Sequence, residues 1–346
     1  MVDWLVITAD SPDIGRGVRG YALVWFLQTY FGRRKVRVCT PAQVRCASDL
    51  TAKHCLIGLP TTLRADELNR LASQTGNARF AMFDYRDQHE LDWSEDQAPA
   101  LRRLTDVYLK PWFEPAWRYD LRMGLLPVRR YTRFSAALRL DRALSKLGMV
   151  DERRYDVAFV GRPNQTQFIH EGQIKRVEQR AQWIHDIKRL APDLRFWGGL
   201  VGVNEGRRKA LDSKFGSVDQ LMHGQQKVRF STYYRSLKQS RVVLAPGGNV
   251  PWTYRHYECL YSGAVVVTID YRTRDMLTPL PRDSMIHVPD GAAVVPAVHE
   301  ALDMYHKRPQ LGTSNAAHLE RFLRCGSYSK NRRALIDRFV KQLRED

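Results

Sequence analysis

Residues 241–270, RVVLAPGGNVPWTYRHYECLYSGAVVVTID, leave this chain few ways to fold. The apolar run 242–245 reads as a short buried strand, and Pro246, Gly247 and Gly248 end it. A helix is predicted from about Thr253 to a stop at Gly263, and a second apolar run, 264–269, follows directly. Strand, glycine turn, helix and strand in that order make one βαβ unit of an α/β sheet.

Such a unit has a chemical use. Gly247, Gly248 and the helix start at Tyr254 place bare backbone N–H groups beside Arg255, which suits a diphosphate. Glu258 follows three residues later on the same helix face, where a carboxylate can accept hydrogen bonds from the two hydroxyls of a ribose. Arg255 and Glu258 equally fit an ordinary i,i+3 ion pair on any buried α/β unit.

The rest of the second half repeats the alternation. Residues 155–161 form a strand running into a glycine turn at Gly161 and Arg162, and 171–190 read as one long helix carrying Arg176 and Arg180. A strand over 194–199 is followed by a polar stretch, 203–227, that reads as an irregular insertion. Helix 231–239 leads into the βαβ unit; strand 285–288 and helices over 291–305 and 316–343 close the chain. No internal repeat is visible.

In the first half, strand 4–9 ends in DSPDIGRGVRG, with Asp13 opening a glycine-bearing turn before an apolar helix over 21–31. Gly15, Gly17 and Gly20 have GxGxxG spacing, but no acidic ribose partner follows about 20 residues on, so the turn reads as an acceptor-side or active-site loop. Strands are predicted over 36–39, 54–59 and 80–83, with a helix over 65–73. Strand 80–83 delivers Asp84, Asp87 and His89 to the sheet's C-terminal edge, where open α/β sheets bind ligands. A carboxylate or imidazole there can deprotonate a hydroxyl. Asp84 fits a turn cap equally well, and His89 an ordinary surface residue. Residues 111–150 interleave aromatic and basic side chains, fitting sugars, bases or anionic lipid, or a packed interdomain connection.

A length of 346 residues accommodates two domains. The division expected is 1–150, 151–320 and a C-terminal helix over 321–346 that returns to the first domain. A net charge of +18 and a pI near 9.9 call for an anionic partner: nucleotide, phospholipid headgroup, lipid-linked diphosphate or nucleic acid. Cys39, Cys46, Cys55, Cys259 and Cys325 are odd in number and lack CxxC spacing, so free thiols in a reducing cytoplasm are expected, and no zinc. Neither a signal peptide nor about 18 uninterrupted apolar residues is present, which leaves only peripheral contact with a membrane.

Arg255-His-Tyr-Glu258 followed by Cys-Leu-Tyr-Ser-Gly-Ala-Val-Val-Val resembles the R-x-x-E-x-x-x-x-G-[AC]-x-x-V signature of the donor domain of GT-B glycosyltransferases, in particular exostosin-like and bacterial polysaccharide (group 1-type) enzymes. The likeness extends over 155–305 and is weak over the first 110 residues. There, a strand ending in Asp84, followed later by Thr105-Asp-Val-Tyr-Leu-Lys110, is similar to the D-x-x-D…D-x-Y-x-K arrangement of bacterial polysaccharide enzymes. More distantly, the chain resembles phage DNA β-glucosyltransferases, which place a base aspartate after an N-domain strand.

The resemblance implies an α/β GT-B fold: two Rossmann-like domains facing each other across a cleft, acceptor on the first and donor on the second. It implies a nucleotide-sugar co-substrate, a UDP-sugar foremost, with no further cofactor. Gly161, Arg162 and Arg176 would hold the diphosphate, with Arg180 in reserve, together with Gly247, Gly248, Tyr254, Arg255 and Glu258. The base would come from Asp84, Asp87, His89 or Asp13, giving inversion. Arginines in place of a metal would neutralise the leaving group, and no DxD motif has a convincing setting. The acceptor would be a bacterial surface glycan or lipopolysaccharide at the inner membrane face. Alternatives are a hydroxymethylated base in double-stranded DNA in a phage-infected host's cytoplasm, or a non-catalytic nucleotide- or glycan-binding protein of the same fold.

Overall fold

The computed structural model describes residues 2–9, 21–58, 62–74, 80–84, 91, 93–110, 121–125, 139–140, 142–147, 153–224, 226–250, 253–270, 281, 284–312, 314–315, 317–318 and 330–343. The chain divides into two compact units, residues 1–130 with 274–279 and 321–346, and residues 131–273 with 280–320.

The first unit is built on a parallel sheet of β1 (Trp4–Thr8), β2 (Val36–Cys39), β3 (His54–Gly58), β4 (Phe80–Phe83), β5 (Thr105–Lys110) and β6 (Arg122–Leu125), in the order β2-β1-β3-β4-β5-β6. Helices α1 (Tyr21–Phe31), α2 (Ala65–Gln74) and α3 (Ala98–Leu104) belong to the same unit. Both faces of β1 are buried, so its sequence WLVIT is continuously apolar rather than alternating. Trp4 and Val6 join one core with Leu23, Phe26 and Leu27 of α1; Leu5 and Ile7 join another with Leu68 and Leu71 of α2. The alternate pointing of strand side chains splits them this way.

The second unit repeats the plan with β7 (Tyr155–Gly161), β10 (Phe196–Val201), β11 (Met222–Gly224), β12 (Ser240–Ala245), β13 (Val265–Ile269) and β14 (Met285–Val288), in the order β11-β10-β7-β12-β13-β14. Its helices are α4 (Gln179–Leu190), α5 (Glu205–Phe215), α6 (Phe230–Lys238), α7 (Tyr254–Ser262) and α8 (Val294–Lys307). A separate antiparallel hairpin, β8 (Thr166–His170) and β9 (Gln173–Val177), interrupts the run from β7 to α4. The expected βαβ unit is present: β12 and β13 are parallel, and α7 ends at Gly263, a left-handed C-cap at φ 81°.

Helix α9 (Lys330–Lys341) belongs by packing to the first unit. Phe339 is fully buried, with its ring 5.0 Å from Phe26 and 6.0 Å from Trp4, and Leu335 lies in the same core. Burying a phenylalanine ring contributes ~1.5–3 kcal/mol, enough to fasten a twelve-residue helix that would not persist alone.

Two expectations from the sequence need correction. The predicted helix 171–190 is a hairpin and a shorter helix. Glu171 and Gly172 both take positive φ, 51° and 72°, which makes the two-residue turn that joins antiparallel strands. Helical polarity in QIKRVEQRAQ hid that turn; the Glu-Gly pair and the alternation in TQFIH and QIKRV were its signals. The expected irregular insertion 203–227 holds regular structure over 205–215 and 222–224. Asn204 accepts a hydrogen bond from the Arg207 N–H at 2.9 Å and starts α5, after which β11 adds an edge strand to the sheet. Only Leu211 of α5 is buried, so its sequence carries almost no apolar periodicity.

Candidate functional site

The C-terminal ends of β7, β10 and β12 lie side by side in the second sheet. A cavity of about 750 Å³ opens there, lined by Gly161 and Arg162 after β7, Val201 and Gly202 after β10, Arg180 of α4, residues 227–230 and Tyr233 of α6, and Arg255 and Glu258 of α7. This is the edge at which open α/β sheets hold ligands. The cavity lies wholly within the second unit.

Arg255 is the best-defined cation of the site. Its guanidinium lies 4.6 Å from the centre of the Phe159 ring and 5.8 Å from that of Tyr233, and its Nη1 reaches the Tyr233 hydroxyl at 3.5 Å. Gly161 makes room for it: a Cβ there would come within 2.8 Å of Arg255 Nη2 and within 2.8 Å of the Phe159 ring. The described contacts of the Arg255 guanidinium are with the Phe159 and Tyr233 rings and the Tyr233 hydroxyl. The charge is held by aromatic faces and left to the cavity. Glu258 is 4% exposed and faces Tyr233, whose hydroxyl is pushed well above its usual range by burial first and by the Glu258 charge second.

Helix α7 is fixed at its start by a chain of three hydrogen bonds. The Thr253 N–H donates to His256 Nδ1 at 3.0 Å, which leaves the imidazole proton on Nε2. That Nε2–H donates to Thr268 Oγ1 at 3.0 Å, and the Thr268 hydroxyl donates to the Ala245 carbonyl at 2.9 Å. The relay ties α7 to β13 and to the last residue of β12. Burial drives the His256 pKa down to about 3, with nearby arginines adding to the effect, so the ring stays neutral. Cys259, one turn further on, is raised to about 12 by burial and is a packed thiol rather than a nucleophile.

The other expected donor residues divide. Arg162 lines the cavity with an exposed side chain. Arg180 lines it too, but is buried and occupied, donating from Nε to Gly247 O at 2.8 Å and from Nη1 to Arg162 O at 2.9 Å. Arg176 is elsewhere: it is exposed on β9, paired with Gln167 across the hairpin, and does not line the cavity. The replaced helix prediction put it there, since a helical register brings 176 and 180 to one face and a hairpin does not. The glycine turn also differs from expectation. The Gly247 N–H donates to Gln179 Oε1 at 3.1 Å and the Gly248 N–H to Val250 O at 2.8 Å, so both amides are used inside the fold. Tyr254 begins α7, and its side chain lies outside the description.

In the first unit, Asp84 has no exposed surface. Its carboxylate accepts from the Tyr108 hydroxyl at 2.9 Å and from Lys110 Nζ at 3.3 Å, and its N–H donates to Leu109 O at 2.9 Å. A carboxylate so enclosed ties β4 to β5. The D-x-Y-x-K segment supplies both partners, Tyr108 and Lys110. Asp13, Asp87 and His89 lie outside the described residues.

Sequence reasoning missed Lys227, Arg229, the aromatic wall of Phe230 and Tyr233, and the Phe159 ring on which Arg255 packs. Lys227 and Arg229 stand at the entry of α6, with Arg229 as its N-cap. Cations oppose the positive end of the helix dipole there, so this placement was a readable sign of an anion.

No protein-family model and no curated protein matches the chain. Among solved structures it is similar to the α,α-trehalose 6-phosphate synthase of Burkholderia multivorans, at 12% identity over 99% of this chain and 96% of that one, with a TM-score of 0.50. Similar too are the UDP-forming α,α-trehalose-phosphate synthase of Burkholderia xenovorans (13%, 100% and 99%, TM-score 0.48) and the sucrose-phosphate synthase of Thermosynechococcus elongatus (12%, 99% and 99%, TM-score 0.46). At such identities the likeness is one of fold. Two parallel-sheet α/β domains give the chain the GT-B fold of glycosyltransferases.

Proposed function

We propose that this chain is a glycosyltransferase that moves a sugar from a nucleoside-diphosphate sugar, UDP-linked in the first instance, to an acceptor hydroxyl. One observation carries the reading: Arg255 and Glu258, one helical turn apart on α7, both open on a cavity walled by Arg162, Arg180, Lys227 and Arg229. Five cations against one buried carboxylate favour a diphosphate, and the carboxylate suits a ribose diol. Fixed guanidinium groups would stabilise the charge developing on the leaving diphosphate.

On this reading transfer is direct and inverting, with the acceptor's proton taken by Asp87, His89 or Asp13 of the first unit, since Asp84 is enclosed. The acceptor proposed is a glycan or glycolipid at an anionic membrane face, reached by peripheral contact of a chain with net charge +18. Among the described residues, no helix is long and apolar enough to cross a membrane.

Thermal unfolding with UDP, GDP, ADP, CMP and dTDP tests the site. A diphosphate present at 100 times its Kd stabilises by about 2.7 kcal/mol. Glu258→Ala and Arg255→Leu each weaken that nucleotide by about tenfold or more, since a hydrogen bond to a charged group is worth roughly 1.5–3 kcal/mol. No shift with any nucleotide would sink the glycosyltransferase reading. Further stabilisation by duplex DNA that 200 mM salt abolishes would move the acceptor from glycan to modified base, since phosphate contacts of this kind lose about 10³–10⁵ in affinity over that salt range.

A further inference from the structure

Two neighbouring tyrosines of α6 meet α7 at different points. Tyr234 is fully buried, and its hydroxyl donates to the Tyr261 carbonyl at 3.2 Å, which ties α6 to the far end of α7. Tyr233, one residue earlier, lines the larger cavity, and its hydroxyl touches both side chains of α7 on which the nucleotide reading depends. Arg255 Nη1 reaches the phenol oxygen at 3.5 Å, and the phenol is hydrogen-bonded to the Glu258 carboxylate. The ends of this chain fix its polarity. A guanidinium offers only donors and an ionised carboxylate only acceptors, so the Tyr233 proton points at Glu258 and a lone pair of its oxygen faces Arg255. Tyr233 also belongs to the helix start that carries Arg229, since its N–H donates to the Arg229 carbonyl at 3.0 Å.

A glutamate has three rotatable bonds, and a carboxylate meets a vicinal diol only when its plane is turned towards both hydroxyls. A phenol proton on that carboxylate selects its orientation before any ligand arrives, so the ordering cost is met in the folded protein rather than on binding. We propose that Tyr233 is a positioning residue that orients Glu258 for a ribose diol, and thereby sets the preference of this site for ribonucleotides over deoxyribonucleotides. The inference rests on the nucleotide reading of the larger cavity and extends it in two ways. Ribose recognition depends on α6 as well as on α7. The donor is a ribonucleoside diphosphate sugar rather than one built on deoxythymidine diphosphate.

Isothermal titration of the wild type, Tyr233→Phe, Glu258→Ala and the double variant with UDP, GDP and ADP, each beside its 2′,3′-dideoxy form, tests it. The quantity read is the ribose factor: the Kd of the dideoxy form divided by that of the ribo form, for whichever base binds. Phenylalanine keeps the ring that packs beside Arg255 and removes only the hydroxyl, so a general weakening through Arg255 divides out of this ratio. The wild type is expected to show a ribose factor of about tenfold or more, from hydrogen bonds to a charged group. Tyr233→Phe is expected to cut that factor by roughly threefold or more, and Glu258→Ala to bring it close to unity. In the double variant the factor should equal that of Glu258→Ala, because a residue that acts through Glu258 then has nothing to act on. A ribose factor unchanged by Tyr233→Phe would overturn the positioning role, as would a Tyr233→Phe effect on that factor that persists in the Glu258→Ala background. Failure of the wild type to bind any nucleoside diphosphate, or a wild-type ribose factor near unity, would instead overturn the nucleotide reading beneath it.

Discussion

Replacing Asp84 by Asn separates a structural carboxylate from a catalytic one. The substitution keeps an acceptor for the Tyr108 hydroxyl but removes the charge that faces Lys110 Nζ at 3.3 Å. Both partners are buried, Asp84 at 0% and Lys110 at 2% exposure, so the ammonium stays out of water with the Asp84 charge removed. Breaking a buried pair in this way costs about 3–5 kcal/mol. For a unit of this size each kcal/mol shifts Tm by about 2–4 °C, which predicts a loss of roughly 6–20 °C by calorimetry. Replacing both partners with apolar residues, Asp84→Leu with Lys110→Met, removes the charge imbalance and is expected to recover most of that loss. UDP binding in the other unit should be unchanged throughout. An Asp84→Asn variant with wild-type Tm and wild-type UDP affinity but no sugar transfer would refute the reasoning and return Asp84 to the role of base.

Three further outcomes are expected. Burial raises the thiols of Cys39, Cys55 (to about 11) and Cys259 (to about 12), so iodoacetamide at pH 8 should label Cys46 and spare these three in a Cys325→Ser background, as read by mass spectrometry; rapid labelling of Cys259 would contradict its packing. Phe339→Ala should cost about 3–5 kcal/mol in urea unfolding of the first unit, because it empties a core shared with Trp4 and Phe26, and a loss below 1 kcal/mol would detach α9 from that core. His256 is held near 3 when folded against 6.5 when unfolded, so between those values the unfolded chain takes up a proton that the folded chain refuses. Its stabilising contribution is complete above pH 6.5 and lost as pH falls towards 3, at up to ~1.4 kcal/mol per pH unit; His256→Gln should flatten that part of the stability profile, and an unaltered slope would count against the relay.

The strand-rich half of the fold was legible because both sheets are parallel and buried on two faces, which writes them as uninterrupted apolar runs such as WLVIT and VVVTI. The βαβ unit around α7 was legible for a second reason, since Pro246, Gly247, Gly248 and Gly263 punctuate it. What escaped lacked apolar signal. Helix α5 buries only Leu211, and the hairpin turn rests on Glu171 in a left-handed conformation that sequence rarely advertises. The candidate site was half legible. Arg255, Glu258, Gly161 and Arg162 line one cavity, but whether a glycine amide or an arginine is available depends on what else it bonds. Gln179 and Arg180 settle that for Gly247 from 68 and 67 residues away in sequence.

The starts of the helices say more about the ligand than any single residue does. A helix N-terminus is electropositive and is ordinarily compensated by acids, as α2 is by Asp66 and Glu67 and α5 by Glu205. Among the described residues, the helices that border the larger cavity carry arginine at or near their starts, Arg180 in α4, Arg229 at the N-cap of α6 and Arg255 in α7, and α4 alone of these has an acid, Glu178, at its N-cap. Helix α9 also opens on Lys-Asn-Arg-Arg, so one basic start decides nothing. At α6 and α7 arginine stands at or within the first turn of a helix that lacks an acid there, an arrangement that lowers the stability of the empty protein and that an anion entering the cavity would relieve.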